Sequence, residues 1–388
     1  MAEIYDGKGT KIIAFFLPQY HCIPENDKWW GKDFTEWVNT RKAVPLYEGH
    51  YQPRTPLHEN YYNILDEGVM EWQADLAKKY GIFGFCHYHY WFKGGKQLLE
   101  KPTNNMLKNP AVDIPFCLSW ANENWTRNWD GGDREIIVEQ DYGGKKEWED
   151  HLQYLLPFFQ DKRYITENGK PVFLIYKPEL IPNLNDMLDY WNMRVKEYGL
   201  PGICYMIQHC IWYFSPNYEN SHFSWQIRFE PAFSQTYKLK KDMRKVNNIQ
   251  KLFCGLRKVK LERAGMWFYE KLRSAYRETK GPKELEKVSY DETWNTILTT
   301  PIEEKTVLGG FVDWDNTARN KKGRIYIGAS PEKFGDYLKK LVQRVEQEAS
   351  NPYLFINAWN EWAEGAYLEP DERYEYAYLE AVKKALEQ

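Results

Sequence analysis

Glu361 and Glu364 are the acidic residues best placed to do chemistry in this chain. They stand three apart in Ala358-Trp359-Asn360-Glu361-Trp362-Ala363-Glu364-Gly365, directly after an apolar run, so one turn of backbone can present both to one cavity. Paired carboxyls among aromatic rings suit glycosidic-bond chemistry. One stays protonated to assist the leaving oxygen, and the other attacks or activates a nucleophile. Burial among Trp and Tyr raises a carboxyl towards the protonated role. An ordinary surface turn would be an odd place for Trp359 and Trp362. A second arrangement stays open. Asn-Glu occurs twice, at Asn122-Glu123 and Asn360-Glu361, and Glu123 with Glu361 fits the acid/base and nucleophile of a retaining hydrolase.

Other constellations are weaker. His87 and His89 are two apart on a strand, with His21 as a third candidate; core satisfaction or hydrogen bonding to sugar accounts for them better than a metal does. Asp313-x-Asp315 resembles the acidic pair that holds a nucleotide-sugar metal in many glycosyltransferases, but such short matches arise by chance. Gly131-Gly132 and Gly143-Gly144 lack the spacing of a phosphate loop. The six cysteines contain no C-x-x-C pair, and Cys86, Cys117 and Cys204 sit in apolar runs, which reads as buried thiols in a reducing compartment. No metal or cofactor is expected.

The elements that must position these residues alternate. Short apolar runs at Ile12–Leu17, Ile82–Tyr88, Ile114–Trp120, Val172–Tyr176, Ile203–Ile207, Trp225–Phe229, Leu308–Val312 and Leu354–Ala358 read as strands. Between most of them lie amphipathic stretches, at Glu71–Tyr80, Lys146–Phe159, Asn183–Tyr198 and Pro331–Gln347, with Tyr374–Leu386 after the last. This is an α/β pattern, a closed (β/α)8 TIM-type barrel spanning residues 1–388 as one domain. The polar and aromatic residues collect just past the strand ends, where barrel enzymes build their sites. They are Tyr20 and His21; His89 and Trp91; Trp120, Asn122, Glu123 and Trp125, followed by Trp129 to Asp133; Glu230; Trp314, Asp315 and Asn316; and Trp359 and Asn360. All are candidate substrate-binding residues around the Glu361/Glu364 pair.

Composition narrows the classes further. Hydrophobic residues at 43% and charged residues at 28% over 388 residues allow a large core. A net charge of −3 argues against a nucleic-acid binder. The aromatic share of 17%, with 17 Trp and 29 Tyr, fits either a Trp-rich core or rings that stack on sugar faces. Met1–Thr10 is polar and runs straight into the first strand rather than a signal peptide, so a cytosolic protein is expected. Residues 237–287 break the rhythm, with 16 Lys and Arg against 6 Asp and Glu. They read as a basic helical insertion packed on the barrel, or as an amphipathic element resting on an anionic membrane.

Several longer blocks carry a resemblance. Leu17-Pro18-Gln19-Tyr20-His21, Gly31-Lys32-Asp33-Phe34-Thr35-Glu36-Trp37, Gly49-His50-Tyr51-Gln52-Pro53-Arg54, Trp120-Ala121-Asn122-Glu123-Asn124-Trp125, Trp314-Asp315-Asn316-Thr317 and Ala358 to Gly365 resemble the WbsX group. This group belongs to bacterial polysaccharide and O-antigen gene clusters and is related to glycoside hydrolase family 99. The resemblance implies a barrel acting with retention on α-mannoside-like glycans. By analogy Glu361 deprotonates the sugar 2-hydroxyl, which closes on the anomeric carbon as a 1,2-anhydro sugar, and Glu364 is the acid/base for the leaving and incoming oxygens. Family 99 hydrolases are usually exported; this chain's expected cytosolic setting favours cleavage or transfer on glycan or lipid-linked oligosaccharide intermediates. A metal-dependent nucleotide-sugar transferase and a non-catalytic glycan-binding protein are the alternatives.

Overall fold

The computed structural model describes residues 9–126, 135–210, 220–237 and 284–387. Eight parallel strands form the barrel: β1 (Lys11–Phe16), β2 (Gly84–Trp91), β3 (Phe116–Trp120), β4 (Lys170–Ile175), β5 (Cys204–His209), β6 (Phe223–Arg228), β7 (Thr306–Phe311) and β8 (Tyr353–Asn357). Each pairs with its sequence neighbours, and β1 pairs with both β2 (Ile13 opposite Gly84) and β8 (Lys11 opposite Tyr353), which closes the ring. The eight apolar runs expected as strands all fall on these elements. A basic insertion over 237–287 lies largely outside the described residues, as does the stretch from Trp129 to Asp133.

The helices form where capping and apolar spacing agree. The helix Pro331–Glu348 starts at Ser330, whose hydroxyl accepts the Lys333 N–H at 3.3 Å, with Pro331 at the first position where no N–H is needed. Its face of Phe334, Leu338, Leu341, Val342 and Val345 is buried. The helices Val69–Lys79, Lys145–Phe159, Leu184–Glu197 and Tyr290–Thr299 bury similar faces, and Ala377–Leu386 follows β8. Two short helices, Pro24–Trp30 and Glu36–Lys42, belong to the long connection after β1. Among the described residues no helix is long and apolar enough to cross a membrane.

Strand alternation sorts side chains between the barrel interior and the layer under the helices. Phe15 meets Tyr88, Phe229 and Phe355 across the interior, and the Ser119 hydroxyl donates to Gln208 at 3.0 Å. On β7, Gly309 allows close approach of the neighbouring strand: a Cβ there would stand 1.9 Å from the Arg228 carbonyl oxygen. Gly309→Ala is expected to force β6 and β7 apart and to cost about 3 kcal/mol of stability, measured by denaturant unfolding. A variant as stable as the parent would show that the barrel does not depend on this contact.

Candidate active site

The site begins with two asparagines that extend the barrel ladder with their side chains. Asn360 accepts the Leu17 N–H at 2.7 Å and donates to the Leu17 carbonyl at 3.0 Å, joining the ends of β8 and β1. Asn122 treats Lys177 in the same way, at 2.7 and 2.8 Å, joining β3 and β4. Both amides are thus taken up by backbone, so the two Asn-Glu pairs are one structural device used twice. Tyr20, fully buried against Trp37 and Tyr62, donates its hydroxyl to the Asn360 carbonyl and holds the same corner. Asn360, Asn122 and Tyr20 are therefore scaffold for the site rather than substrate contacts.

After Asn360 the chain makes a tight hairpin. Asn360–Glu361 pairs with Ala366–Tyr367, and a single 3₁₀ turn, Trp362–Glu364, spans the gap. Glu361 flanks this turn and Glu364 ends it, and both carboxylates reach the same guanidinium, that of Arg319. Trp362 stacks on Tyr367 with centroids 3.8 Å apart and donates its indole N–H to Glu369 at 2.7 Å. Gly365 closes the turn at φ 64°, and a Cβ there would come within 3.0 Å of the Asp315 nitrogen.

Arg319 joins the two glutamates. Its Nη1 donates to Glu364, and its Nη2 lies 3.4 Å from Glu361 and 2.9 Å from Glu36. Asp315 brings it there. That carboxylate caps the next 3₁₀ turn by accepting the Thr317 N–H at 3.0 Å, and is itself held by His50 at 2.8 Å and Gln52 at 2.9 Å. Burial drives the Glu361 carboxyl up to about 8, reinforced by the Glu364 charge and opposed by Arg319. Burial also raises Glu364. Two adjacent carboxyls beside one guanidinium each disfavour the other's ionised form, so the pair retains a shared proton near neutrality. Tyr88 and Tyr90 face this cluster; burial first, and then the Glu361 charge, keeps both phenols protonated well above their ordinary range.

Several expected substrate contacts lie elsewhere. His89 and Trp91 share the outward register of β2, so they pack beneath the helix Lys145–Phe159: His89 meets His151 at 2.8 Å, and Trp91 stacks on the His151 ring. Trp120 alternates with the inward Ser119 and joins this outer layer, its indole donating to the Trp91 carbonyl. Trp359 is fully buried between β1 and Phe85. Trp125 packs edge-on against Tyr90. Much of the Trp excess is thus core. His21, pushed down to about 4 by burial, is a neutral imidazole bonded to the Pro18 carbonyl.

The remaining candidates have partners. Glu230, at the end of β6, is raised to about 7 by burial and accepts from the Ser234 N–H and hydroxyl. Asp313 is bonded to Arg54 at 2.8 Å and Asp315 is saturated, so the D-x-D pair serves the fold of the Arg319 turn; Trp314 and Asn316 are held in it by Tyr326 and Arg324. Among the described residues no group of three His, Cys, Asp or Glu is arranged to hold a metal ion. Glu123 is ion-paired with Lys177, its side chain 43% exposed, apart from the Arg319 cluster. Residue type and spacing alone do not mark Glu36, Arg319, Tyr88 and Tyr90 as site residues. The alternation of Tyr88 and Tyr90 with His87 and His89 was the available signal for the tyrosines.

Comparison with known proteins agrees with this architecture. A family model described as glycosyltransferase WbsX matches residues 12–382. Two relatives, both described as uncharacterized protein WxcX, come from strains of Xanthomonas campestris pv. campestris. Each is 34% identical over 379 residues, covering 97% of this chain and 49% of the relative. The chain therefore spans about half the length of the curated relatives it matches. Two solved structures share the fold. One is a glycoside hydrolase-like protein, with TM-score 0.55 and 12% identity over 99% of this chain and 96% of that one. The other is a GH99 endo-alpha-mannosidase from Bacteroides thetaiotaomicron in complex with BIS-TRIS-propane, with TM-score 0.51 and 13% identity over 96% and 94%.

The Asn360 clamp yields a direct test. Asn360→Ala leaves the buried Leu17 N–H and carbonyl unpaired and is expected to cost about 3 kcal/mol. Asn122→Ala should cost a similar amount at the β3–β4 seam. Equilibrium denaturation measures both, and unchanged stability in either would remove the clamp role.

Proposed function

The chain belongs to the glycosyltransferase WbsX family, and on that premise we propose that it is a retaining carbohydrate-active enzyme of bacterial surface polysaccharide or O-antigen biosynthesis. It cleaves or transfers an α-linked, mannoside-like sugar on a glycan or lipid-linked oligosaccharide. The observation that carries the reading is the Glu361/Glu364 pair at the C-terminal face of the barrel, Glu361 buried and Glu364 half-buried, both sharing Arg319.

The steps balance with one proton held by the pair. The Glu361 carboxylate takes the proton of the sugar 2-hydroxyl, whose oxygen attacks the anomeric carbon. The bond to the leaving oxygen breaks, and Glu364 gives that oxygen its proton. This forms a 1,2-anhydro sugar. Glu364, now ionised, deprotonates water or an acceptor hydroxyl, which attacks the anomeric carbon. The epoxide C1–O2 bond opens, and Glu361 returns the proton to the 2-oxygen, so two inversions leave net retention. A 2-hydroxyl donating to Glu361 favours its ionised form and moves the shared proton to Glu364, the arrangement the first step needs. Tyr88 and Tyr90, as neutral phenols, supply donors beside the reacting sugar.

The cytoplasm is the compartment we assign. Cys86 and Cys117 lie opposite each other on adjacent strands as free, buried thiols, which suits a reducing setting. Glu123 with Glu361 is the less favoured pair, because Glu123 is engaged by Lys177 while Glu364 shares Arg319 with Glu361.

An NMR time course on α-mannosides and lipid-linked oligosaccharide fragments, with and without acceptor, tests the reading. Retention of anomeric configuration is expected, with turnover reduced about 10²- to 10⁴-fold in Glu361→Gln and in Glu364→Gln while glycan binding persists. Wild-type rates in either variant would sink the assignment. Turnover that appears only with a nucleotide sugar, and is lost with a chelator, would move the chemistry to Asp313 and Asp315. The rate should also fall as pH rises through about 8, where the pair loses its shared proton. A rate that keeps rising past that point would contradict the acid role.

A further inference from the structure

Among the described residues three carboxyls surround Arg319, yet the proposed chemistry uses two. The third, Glu36, opens the helix Glu36–Lys42 and is fully buried, so no substrate oxygen reaches it. Its Oε2 accepts from Arg319 Nη2 at 2.9 Å and Nε at 3.3 Å, while its buried Oε1 has no hydrogen-bond partner. A purely structural Arg–Glu pair favours two parallel bonds, one to each carboxylate oxygen. Here the guanidinium leaves Oε1 unmet and turns Nη1 to Glu364 instead. An unpaired buried acceptor is costly, so the arrangement points to a demand of the site.

We propose that Glu36 is a positioning residue for the reaction, acting through Arg319 to keep one proton on the Glu361/Glu364 pair. The inference rests on that pair being the reacting one. Its logic is charge count. Arg319 and Glu36 neutralise each other, leaving Glu361 and Glu364 to share one proton as a singly charged pair. Without the Glu36 charge the guanidinium acts wholly on Glu361 and Glu364 and draws both into the ionised form, which removes the acid. Among the described residues, the other ionisable groups around the pair do not substitute for it. Tyr20, Tyr88 and Tyr90 are neutral phenols raised by burial. Glu123 is paired with Lys177, and Arg54 behind Gly365 is matched to Asp313 and Asp315. Glu369, across Tyr62 and Trp362, is bonded to both and to Gln73.

The test reads protons directly and needs no substrate. Carbon-13 NMR of glutamate-labelled protein follows the Glu361 and Glu364 carboxyls through pH, with assignments from Glu361→Gln and Glu364→Gln. In Glu36→Gln the alkaline step of the pair is expected to move down by about one pH unit, a tenfold loss of proton affinity, and in Arg319→Gln to move up by at least as much. Arg319→Lys, which keeps the charge, should restore most of the parent position. Steps that stay put, or that move the same way in both variants, would overturn the proposal. If Glu36→Gln does not fold, Arg319→Gln decides alone: an unmoved step refutes control through the guanidinium. Where a substrate is in hand, the alkaline limb of kcat should track these shifts. Absence of turnover on every glycan, with the opposed shifts intact, would refute the proposed reaction and leave the charge arrangement standing.

Discussion

Among the described residues one guanidinium is shared by three carboxyls, Glu36 and Glu361 buried and Glu364 half-buried, and this is the constraint around which the C-terminal face of this barrel is built. A charge taken out of water must be paired and its pairing geometry held, because an unmatched buried ion costs several kcal/mol. Arg319 meets that demand from a turn after β7, Glu36 from the connection after β1, and Glu361 and Glu364 from the hairpin after β8. Moving any of these loops separates charges that have no solvent to replace their partners. The further layer of Asp315, His50, Gln52 and Arg54 follows from the same requirement, since the turn carrying Arg319 must itself be anchored.

The barrel contributes a second, non-electrostatic device. At two seams an asparagine side chain imitates a strand, bonding both the N–H and the carbonyl of the neighbouring chain. Each seam then delivers a glutamate just beyond it. Only at β8–β1 does the chain continue into a 3₁₀ turn that supplies a second carboxyl and meets Arg319. The β3–β4 seam delivers Glu123 to Lys177 instead. Similar local motifs thus acquire different electrostatic surroundings, and with them different proton affinities.

Aromatic residues divide along the same lines. The largest fully buried side chains include Trp191, Trp294, Trp359 and Trp362, which fill space between strands and helices or pin the hairpin that carries Glu361 and Glu364. Tyrosines, whose hydroxyls remain useful donors when neutral, face Glu361. The Trp excess is better read as packing volume than as a set of sugar-stacking platforms. The helix-facing trio of His89, Trp91 and Trp120 is the clearest instance.

The eight strands, most of the helices and the close pair of glutamates were legible in the amino-acid order, because apolar period, capping residues and a three-residue spacing are local properties. Their placement at strand ends also put the expected site at one face of the barrel. What only the tertiary structure decided were matters of partner and side. Whether His89 or Tyr90 faces the interior depends on the phase of an alternation that composition does not set, since both faces of β2 carry aromatic rings. Whether Asn360, Asn122 and Asp315 meet substrate or backbone depends on what lies across a seam. Glu36 and Arg319 stand 283 positions apart, and neither residue type nor spacing marks them as a pair. Their meeting is set by ring closure between β1 and β8, and it is this long-range contact that fixes the charge the two glutamates experience.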